Sequence, residues 1–420
     1  MNYEEVLNAI HSRKSFSSGG ATLERIGRLM SKLGNPQNSY KTIHIAGTNG
    51  KGSVSAMTAM ALREGGYCTG LFTSPYLIDF RERIQVDGKL IMKEELVACF
   101  QIVEAVEAEL ESCGYEPVNE FEFVTALGFV AFQRAKLDYA VIEVGLGGRT
   151  DPTNIIEKPE VCCITSISLD HTMILGNTID KIAAEKAGII KAGVPVVCAP
   201  QEKAALNVIK ASAFQSNSEL ILCPKCEILT QSVNGISCVI AGYEVYLPFI
   251  GAYQVDNAAS AFYICRTLGL NPEIICNALS KTSWPGRLQY IEAGHRFLID
   301  AGHNIAGIKT LTDTLDCCFS GTSVITIMAM MKDKDYFHCI REIATRSRML
   351  IGTSVGLPRS LKPDEVAGVA MELCPVNAQD SIEDAIQYAE KNANVDELIL
   401  VCGSVYAAGE ALRIIANCER

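Results

Sequence analysis

The stretch Ile43-His44-Ile45-Ala46-Gly47-Thr48-Asn49-Gly50-Lys51-Gly52-Ser53-Val54 holds the residue types that bind phosphate. An apolar run ends in glycines, a lysine follows, and a helix-forming segment opens behind it. Glycines let backbone N–H groups close around phosphate oxygens, and the N-terminus of the next helix favours negative charge. Lys51 has the length to reach the β- and γ-phosphates of a nucleotide. The general pattern G-x-x-x-x-G-K-[ST] is not met strictly, because position 45 is Ile and position 52 is Gly. A glycine-rich turn that merely opens a helix also fits this segment.

Two further residues stand where chemistry is expected. Glu143 closes the apolar run Tyr139-Ala140-Val141-Ile142, just before a glycine-rich loop. The carboxyl end of a parallel strand is where ligands bind in open α/β sheets. A carboxylate there is expensive to bury unless it meets a cation, so a metal ion or a structural ion pair is expected. His171 follows the apolar run 161–166; by residue type alone it fits a structural histidine as well as a ligand.

These residues need a frame. Candidate strands are Thr42–Ala46, Thr69–Phe72, Tyr139–Val144, Val161–Thr165 and Val194–Ala199, with helix-like stretches such as Ser53–Glu64 and Glu122–Ala135 between them. Strand, crossover helix, strand in this rhythm predicts a mostly parallel sheet covered on both faces. Around Leu220–Pro248 short alternating runs separated by turns predict a small antiparallel patch, and Asn257–Leu268 reads as a helix. A break falls near Ser283-Trp284-Pro285-Gly286-Arg287. Beyond it Phe297–Asp300, Ser323–Ala329, Met349–Thr353 and Glu397–Cys402 start a second α/β rhythm. Residues 1–290 are therefore expected to form a nucleotide-binding domain, and residues 291–420 a smaller Rossmann-like one.

Composition narrows the function. The chain has 420 residues, 48% apolar and 20% charged, which suits two globular domains. Its net charge of −11 argues against a general nucleic-acid surface. No run of about 18 uncharged apolar residues predicts a membrane span. The start MNYEEVLNAI is acidic and lacks the apolar core of a signal peptide, so a cytoplasmic protein is expected. The 17 cysteines are scattered, often within apolar runs, which predicts reduced and mostly buried thiols. Cys223 and Cys226 have metal-ligand spacing, but no second such pair exists to complete a zinc site.

Gly47-Thr48-Asn49-Gly50-Lys51-Gly52-Ser53 resembles the shortened phosphate loop of the folylpolyglutamate synthases, members of the Mur ligase superfamily. Other motifs follow in that family's order: Thr73-Ser74-Pro75, Arg81-Glu82-Arg83-Ile84, residues 143–149, residues 168–172, residues 185–189, Pro285-Gly286-Arg287 and residues 300–304. The resemblance covers nearly the whole chain. It implies an ATP-dependent ligase that adds L-glutamate to the carboxylate of a reduced folate; a monomer is expected. The alternative is another Mur-type ligase acting on a cell-wall precursor.

The resemblance also implies roles. The phosphate loop binds ATP with Asn257, Arg287 and Asp300. Ser74, Glu143 and His171 hold Mg²⁺, two ions in all, and Lys51, His171 and Lys186 are catalytic. Lys186 matches the lysine that the family modifies with CO₂. An ammonium near two Mg²⁺ ions would be repelled, whereas the neutral amine can add CO₂ and become an oxygen-bearing anion suited to hard metals. Leu23, Glu24 and Arg25 resemble the segment that lines the pterin pocket, and Phe121, Glu122 and Asp151 resemble residues facing the ring. Taken singly, Arg25 also fits a solvated helix, Phe121 a core position and Asp151 a turn. One departure is Glu120, where a bifunctional relative has an aromatic residue; it leaves acceptance of dihydropteroate open. The role of His303 is also open.

Overall fold

The computed structural model describes residues 1–14 and 22–418. The chain packs as two compact units, each discontinuous in sequence. The first comprises Met1–Ile167, Thr178–Lys225 and Asn257–Leu279; the second comprises Ser168–Asn177, Cys226–Asp256 and Ser280–Arg420. The expected boundary near residue 290 lies close to the chain's last passage between units, at Ser280.

The first unit is built on an eight-stranded sheet. Its strands are β1 (Lys41–Ala46), β2 (Thr69–Phe72), β3 (Ile84–Val86), β4 (Lys89–Leu90), β5 (Tyr139–Glu143), β6 (Val161–Ile164), β7 (Val196–Cys198) and β8 (Leu220–Leu222), in the order β4-β3-β2-β5-β1-β6-β7-β8. The six strands from β2 to β8 run parallel, and β3 and β4 add an antiparallel edge hairpin. Continuous apolar runs such as residues 139–142 are buried throughout, as a sheet covered on both faces requires. The helices Tyr3–His11, Glu24–Lys32, Lys93–Ser112 and Glu120–Ala135 bury a core around Phe72, Phe100, Phe123 and Phe129.

Strand β1 lies between β5 and β6, with Ile45 opposite Glu143 and Ala46 opposite Ile164. The chain continues from β1 into the helix Lys51–Glu64. This is the topological switch point of the sheet, the crevice where open α/β folds bind ligands.

The second unit holds two sheets. The strands β9 (Glu227–Ser232), β10 (Gly235–Ile240) and β11 (Tyr243–Leu247) form an antiparallel meander. Leu220–Leu222, expected in this patch, instead pairs in parallel with β7 of the first unit. The six-stranded sheet has the order β12-β13-β17-β14-β15-β16, from β12 (Gln289–Ala293), β13 (His295–Ile299), β14 (Val324–Met328), β15 (Met349–Gly352), β16 (Val376–Ala378) and β17 (Leu398–Cys402). It is parallel except for β12. Its core gathers Leu298, Ile308, Ile340, Leu350 and Leu400. No helix among the described residues is long and apolar enough to cross a membrane.

Candidate active site

The phosphate loop occupies the turn after β1. Gly47 and Gly50 adopt φ of 155° and 87°, where a side chain is strained. Space is short as well. A Cβ on Gly47 would stand 1.7 Å from Thr165 Oγ1, and one on Gly50 would stand 2.2 Å from Asn257 Oδ1. The loop is pinned to the end of β6: Thr48 N donates to Ser166 O at 2.8 Å, and Thr165 Oγ1 donates to Asn49 O at 2.7 Å. Helix Lys51–Glu64 starts at Lys51, with Gly50 at its N-cap position. Backbone N–H groups at a helix N-terminus favour an anion. Gly52 and the buried Ser53 form its first turn.

Lys51 Nζ lies 3.9 Å from Glu143 Oε1, and both side chains are largely buried. Ser74 N donates to Glu143 Oε2 at 3.2 Å. The loop thus has a lysine, a carboxylate and a serine beside it. Lys186, only 4% exposed, reaches in from helix Ile179–Ala187 and donates to Gly47 O at 2.6 Å. The close approach is set at Gly148, where a Cβ would stand 3.0 Å from Lys186 Cα. Asn257, also buried, is the neighbour of Gly50 on helix Tyr253–Thr267.

No group of three or more His, Cys, Asp or Glu among the described residues is arranged to hold a metal ion by itself. Magnesium asks for less, usually one or two carboxylates plus substrate phosphates and waters. The buried Glu143 carboxylate and Ser74 beside the phosphate loop fit that donor set.

His171 belongs to the second unit with the rest of segment 168–177. Lys334 Nζ donates to Asp170 Oδ1 at 2.6 Å and stands 3.0 Å from His171 Nε2. Asn304 Nδ2 donates to Asp170 Oδ2 at 3.0 Å, and His303 Nε2 lies 3.6 Å from the same oxygen. Burial alone would raise the Asp170 carboxyl; its contact with His303 and the Lys334 charge override this and hold it well below the usual carboxylate range. In the same unit Asp300 accepts from Leu288 N at 3.0 Å and Gly302 N at 2.8 Å. Burial pushes Asp300 up against these donors and against Arg287. The bond from Ala301 N to Gly286 O, 2.9 Å, joins the Pro285-Gly286-Arg287 turn to the Asp300 strand end.

Of the residues expected at the pterin, Phe121 and Asp151 converge on Gly145. A Cβ there would stand 2.4 Å from the Phe121 ring and 3.2 Å from Asp151 Oδ2. Arg25 and Glu122 also meet, with Arg25 Nη2 donating to Oε1 at 3.1 Å and Nε to Oε2 at 3.2 Å. The Glu122 carboxylate doubles as a helix cap, accepting from Asn119 N at 2.7 Å. Leu23 packs against the core. Glu24 does not join this group: its side chain is 72% exposed and pairs with Arg28 one helical turn on.

Residues 45–265 match the Mur ligase middle domain, and residues 286–405 match the Mur ligase glutamate ligase domain. The chain is 34% identical to the dihydrofolate synthase/folylpolyglutamate synthase of Bacillus subtilis, over 96% of this chain and 97% of that protein. It is 36% identical to the folylpolyglutamate synthase of Lacticaseibacillus casei, over 97% of each. The chain belongs to the folylpolyglutamate and dihydrofolate synthases of the Mur ligase family. The Mycobacterium tuberculosis folylpolyglutamate synthase solved with ADP and AMPPCP has the same fold, with a TM-score of 0.90, 31% identity and 98% of both chains covered. These relatives favour the folate reading over the cell-wall alternative.

Within this synthase fold, three polar residues escaped the sequence reading. Lys334 sits in the charge-dense turn 331–335, which looks solvated, yet its side chain is 8% exposed. His44 and Thr153 are fully buried in the first unit. Only Lys334 had a local signal, a cluster of charges directly after an apolar strand.

Proposed function

We propose that this protein is an ATP-dependent ligase that adds L-glutamate to the carboxylate of a reduced folate. The observation that carries the reading is the phosphate loop with Lys51, Glu143 and Lys186 gathered on it. A carboxylate is a poor acyl donor, because its leaving group would be oxide. Transfer of the γ-phosphoryl group of ATP to a folate carboxylate oxygen gives a mixed anhydride and ADP. The glutamate α-amine then attacks the acyl carbon, the tetrahedral intermediate expels phosphate, and an amide remains. The helix N-terminus and Lys51 favour the charge of the transferring group.

Glu143, Ser74 and His171 would hold Mg²⁺, which when bound neutralises charge on the nucleotide phosphates. Two ions are proposed. Asn257, Arg287 and Asp300 would contact ATP. Lys186 would carry a carbamate, formed when its neutral amine adds CO₂ and releases a proton; its burial against the loop supports this. Leu23, Arg25, Phe121, Glu122 and Asp151 would bind the folate, with Glu24 at the exposed end of that segment. Residues 1–290 are proposed as the ATP-binding domain and 291–420 as the glutamate ligase domain, in a cytoplasmic monomer.

The deciding experiment supplies ATP, Mg²⁺, tetrahydrofolate and glutamate, and omits each in turn. ADP should form only in the complete mixture, and mass spectrometry should find folate extended by glutamate. Absence of that product with both tetrahydrofolate and dihydropteroate would end the folate reading. Dihydropteroate alone as acceptor would reassign the substrate.

A further inference from the structure

His44 lies mid-way along β1, the central strand, and Thr153 lies in the turn that follows Asp151. Both are fully buried. A buried polar side chain is costly unless it is hydrogen-bonded. His44 Nε2 is 2.8 Å from Thr153 Oγ1, across 109 positions of sequence. Thr153 Oγ1 in turn lies 2.5 Å from Asp151 Oδ1, which also accepts from Thr153 N at 3.0 Å. Asp151 Oδ2 accepts from Leu146 N at 2.8 Å.

The direction of this chain follows from counting protons. An ionised carboxylate only accepts, so the single Thr153 hydroxyl proton points to Asp151. The hydroxyl oxygen is then an acceptor, and His44 must supply its proton from Nε2. Neutral imidazole has one N–H, so Nδ1 is bare. The structure agrees, because His44 Nδ1 is buried with no hydrogen-bond partner among the described residues. A lone pair tolerates that position better than an orphaned N–H. Burial and the nearby Lys191 charge hold the ring neutral, with a pKa of about 3.

We infer that His44, acting through the Thr153 hydroxyl, is a positioning residue that fixes the Asp151 carboxylate for binding the folate ring. The inference rests on the proposed folate pocket. Three donors lock Asp151 in one orientation, and its Oδ2 faces Gly145 beside the Phe121 ring. A carboxylate held that way offers a fixed acceptor to N–H groups on a flat heterocycle. The role assigned to His44 involves no contact with substrate. Its effect passes through Thr153.

The test compares His44→Met, His44→Gln, Thr153→Val and Asp151→Asn in steady-state ligase assays. His44→Met and Thr153→Val should raise the folate KM about tenfold, the scale of one hydrogen bond to a charged acceptor, and leave the ATP KM within about twofold. His44→Gln should stay near the native value, because its amide N–H can still reach Thr153. Added to Asp151→Asn, His44→Met should cause no further loss, since both act through one carboxylate. A readout that needs no variant is ¹⁵N NMR of labelled histidine in the native protein. His44 should be the Nε2–H tautomer, with Nδ1 bare at neutral pH.

An Nδ1–H tautomer overturns the inference even if every variant misfolds. So does an unchanged folate KM in His44→Met, or a loss that adds fully to that of Asp151→Asn. If Asp151→Asn itself leaves the folate KM unchanged, the pocket assignment falls, and the positioning role falls with it. If no folate is extended at all while the Nε2–H tautomer is found, the substrate reading has failed and the hydrogen-bonded chain has not.

Discussion

Lys186 donates to the backbone carbonyl of Gly47 across 2.6 Å, although 139 positions of sequence separate them. The modified lysine proposed for this family therefore stands against the phosphate loop rather than on a solvated helix face. The Lys186→Ala variant should lose turnover by orders of magnitude, on the scale of 10²–10³ for one displaced charge-bearing group. Acetate or another small carboxylate should restore part of it by occupying the vacated space. A crystal of the native protein grown with bicarbonate should show a carboxylated Nζ. Full activity of the alanine variant would remove Lys186 from the mechanism.

Lys51 tests the phosphate site separately. Its Nζ is 3.4 Å from Thr48 O and 3.9 Å from Glu143 Oε1, so few structural bonds depend on it. Lys51→Ala should lower turnover on the order of 10²–10³, with a thermal midpoint close to that of the native protein. Calorimetric titration with a non-hydrolysable ATP analogue should show weakened binding. Near-native turnover in a folded variant would move the nucleotide elsewhere.

The turn between β1 and the helix Lys51–Glu64 was legible in the sequence because its signals are local. Glycines at 47 and 50, then Lys51, lie on one turn, and the apolar run before them is a strand wherever it is placed. Strands β5 and β6 were legible for the same reason. Leu220–Leu222 was assigned to the wrong sheet, because three residues carry no alternation from which to read strand direction. The pairing of Arg25 with Glu122 and of His44 with Thr153 could not be read, since each depends on elements brought together by tertiary packing. The exposure of Glu24 was hidden for the converse reason. It shares a three-residue segment with Arg25, but neighbouring positions on a helix face different ways, and Glu24 faces solvent.

Lys334 gives a prediction about stability. It and Asp170 are each 8% exposed at the side chain, which makes theirs a buried pair. Removing one partner of such a pair leaves an uncompensated charge. Lys334→Met should destabilise the second unit by about 3 kcal/mol, the low end of the range for breaking a buried pair, because Asn304 still donates to Asp170. The double variant with Asp170→Asn should recover part of that loss. Trp284, the chain's one tryptophan, lies in this unit, so its fluorescence during urea unfolding is a direct reporter. A Lys334→Met variant as stable as the native protein would mean that Asp170 is solvated in solution.

His44 predicts a pH dependence for the first unit. Burial, with help from the Lys191 charge, lowers its pKa from the ordinary 6.5 to about 3. Between those values the unfolded chain binds a proton that the folded unit excludes. Stability must therefore rise with pH across that window, at a slope of up to about 1.4 kcal/mol per pH unit for one proton, and it gains nothing further above pH 6.5. Asp151 works the other way, because burial raises its carboxyl and the folded form holds a proton longer as pH rises. His44→Gln keeps the donor to Thr153 and removes the titrating ring. Its stability should match the native protein near pH 8 and exceed it increasingly from pH 6 down to pH 4. Trp284 reports on the second unit, so the measurement should be hydrogen exchange at the β1 amides in a pH series. Parallel native and variant profiles from pH 4 to pH 8 would show that the ring is protonated inside the folded protein, against the geometry that leaves its Nδ1 bare.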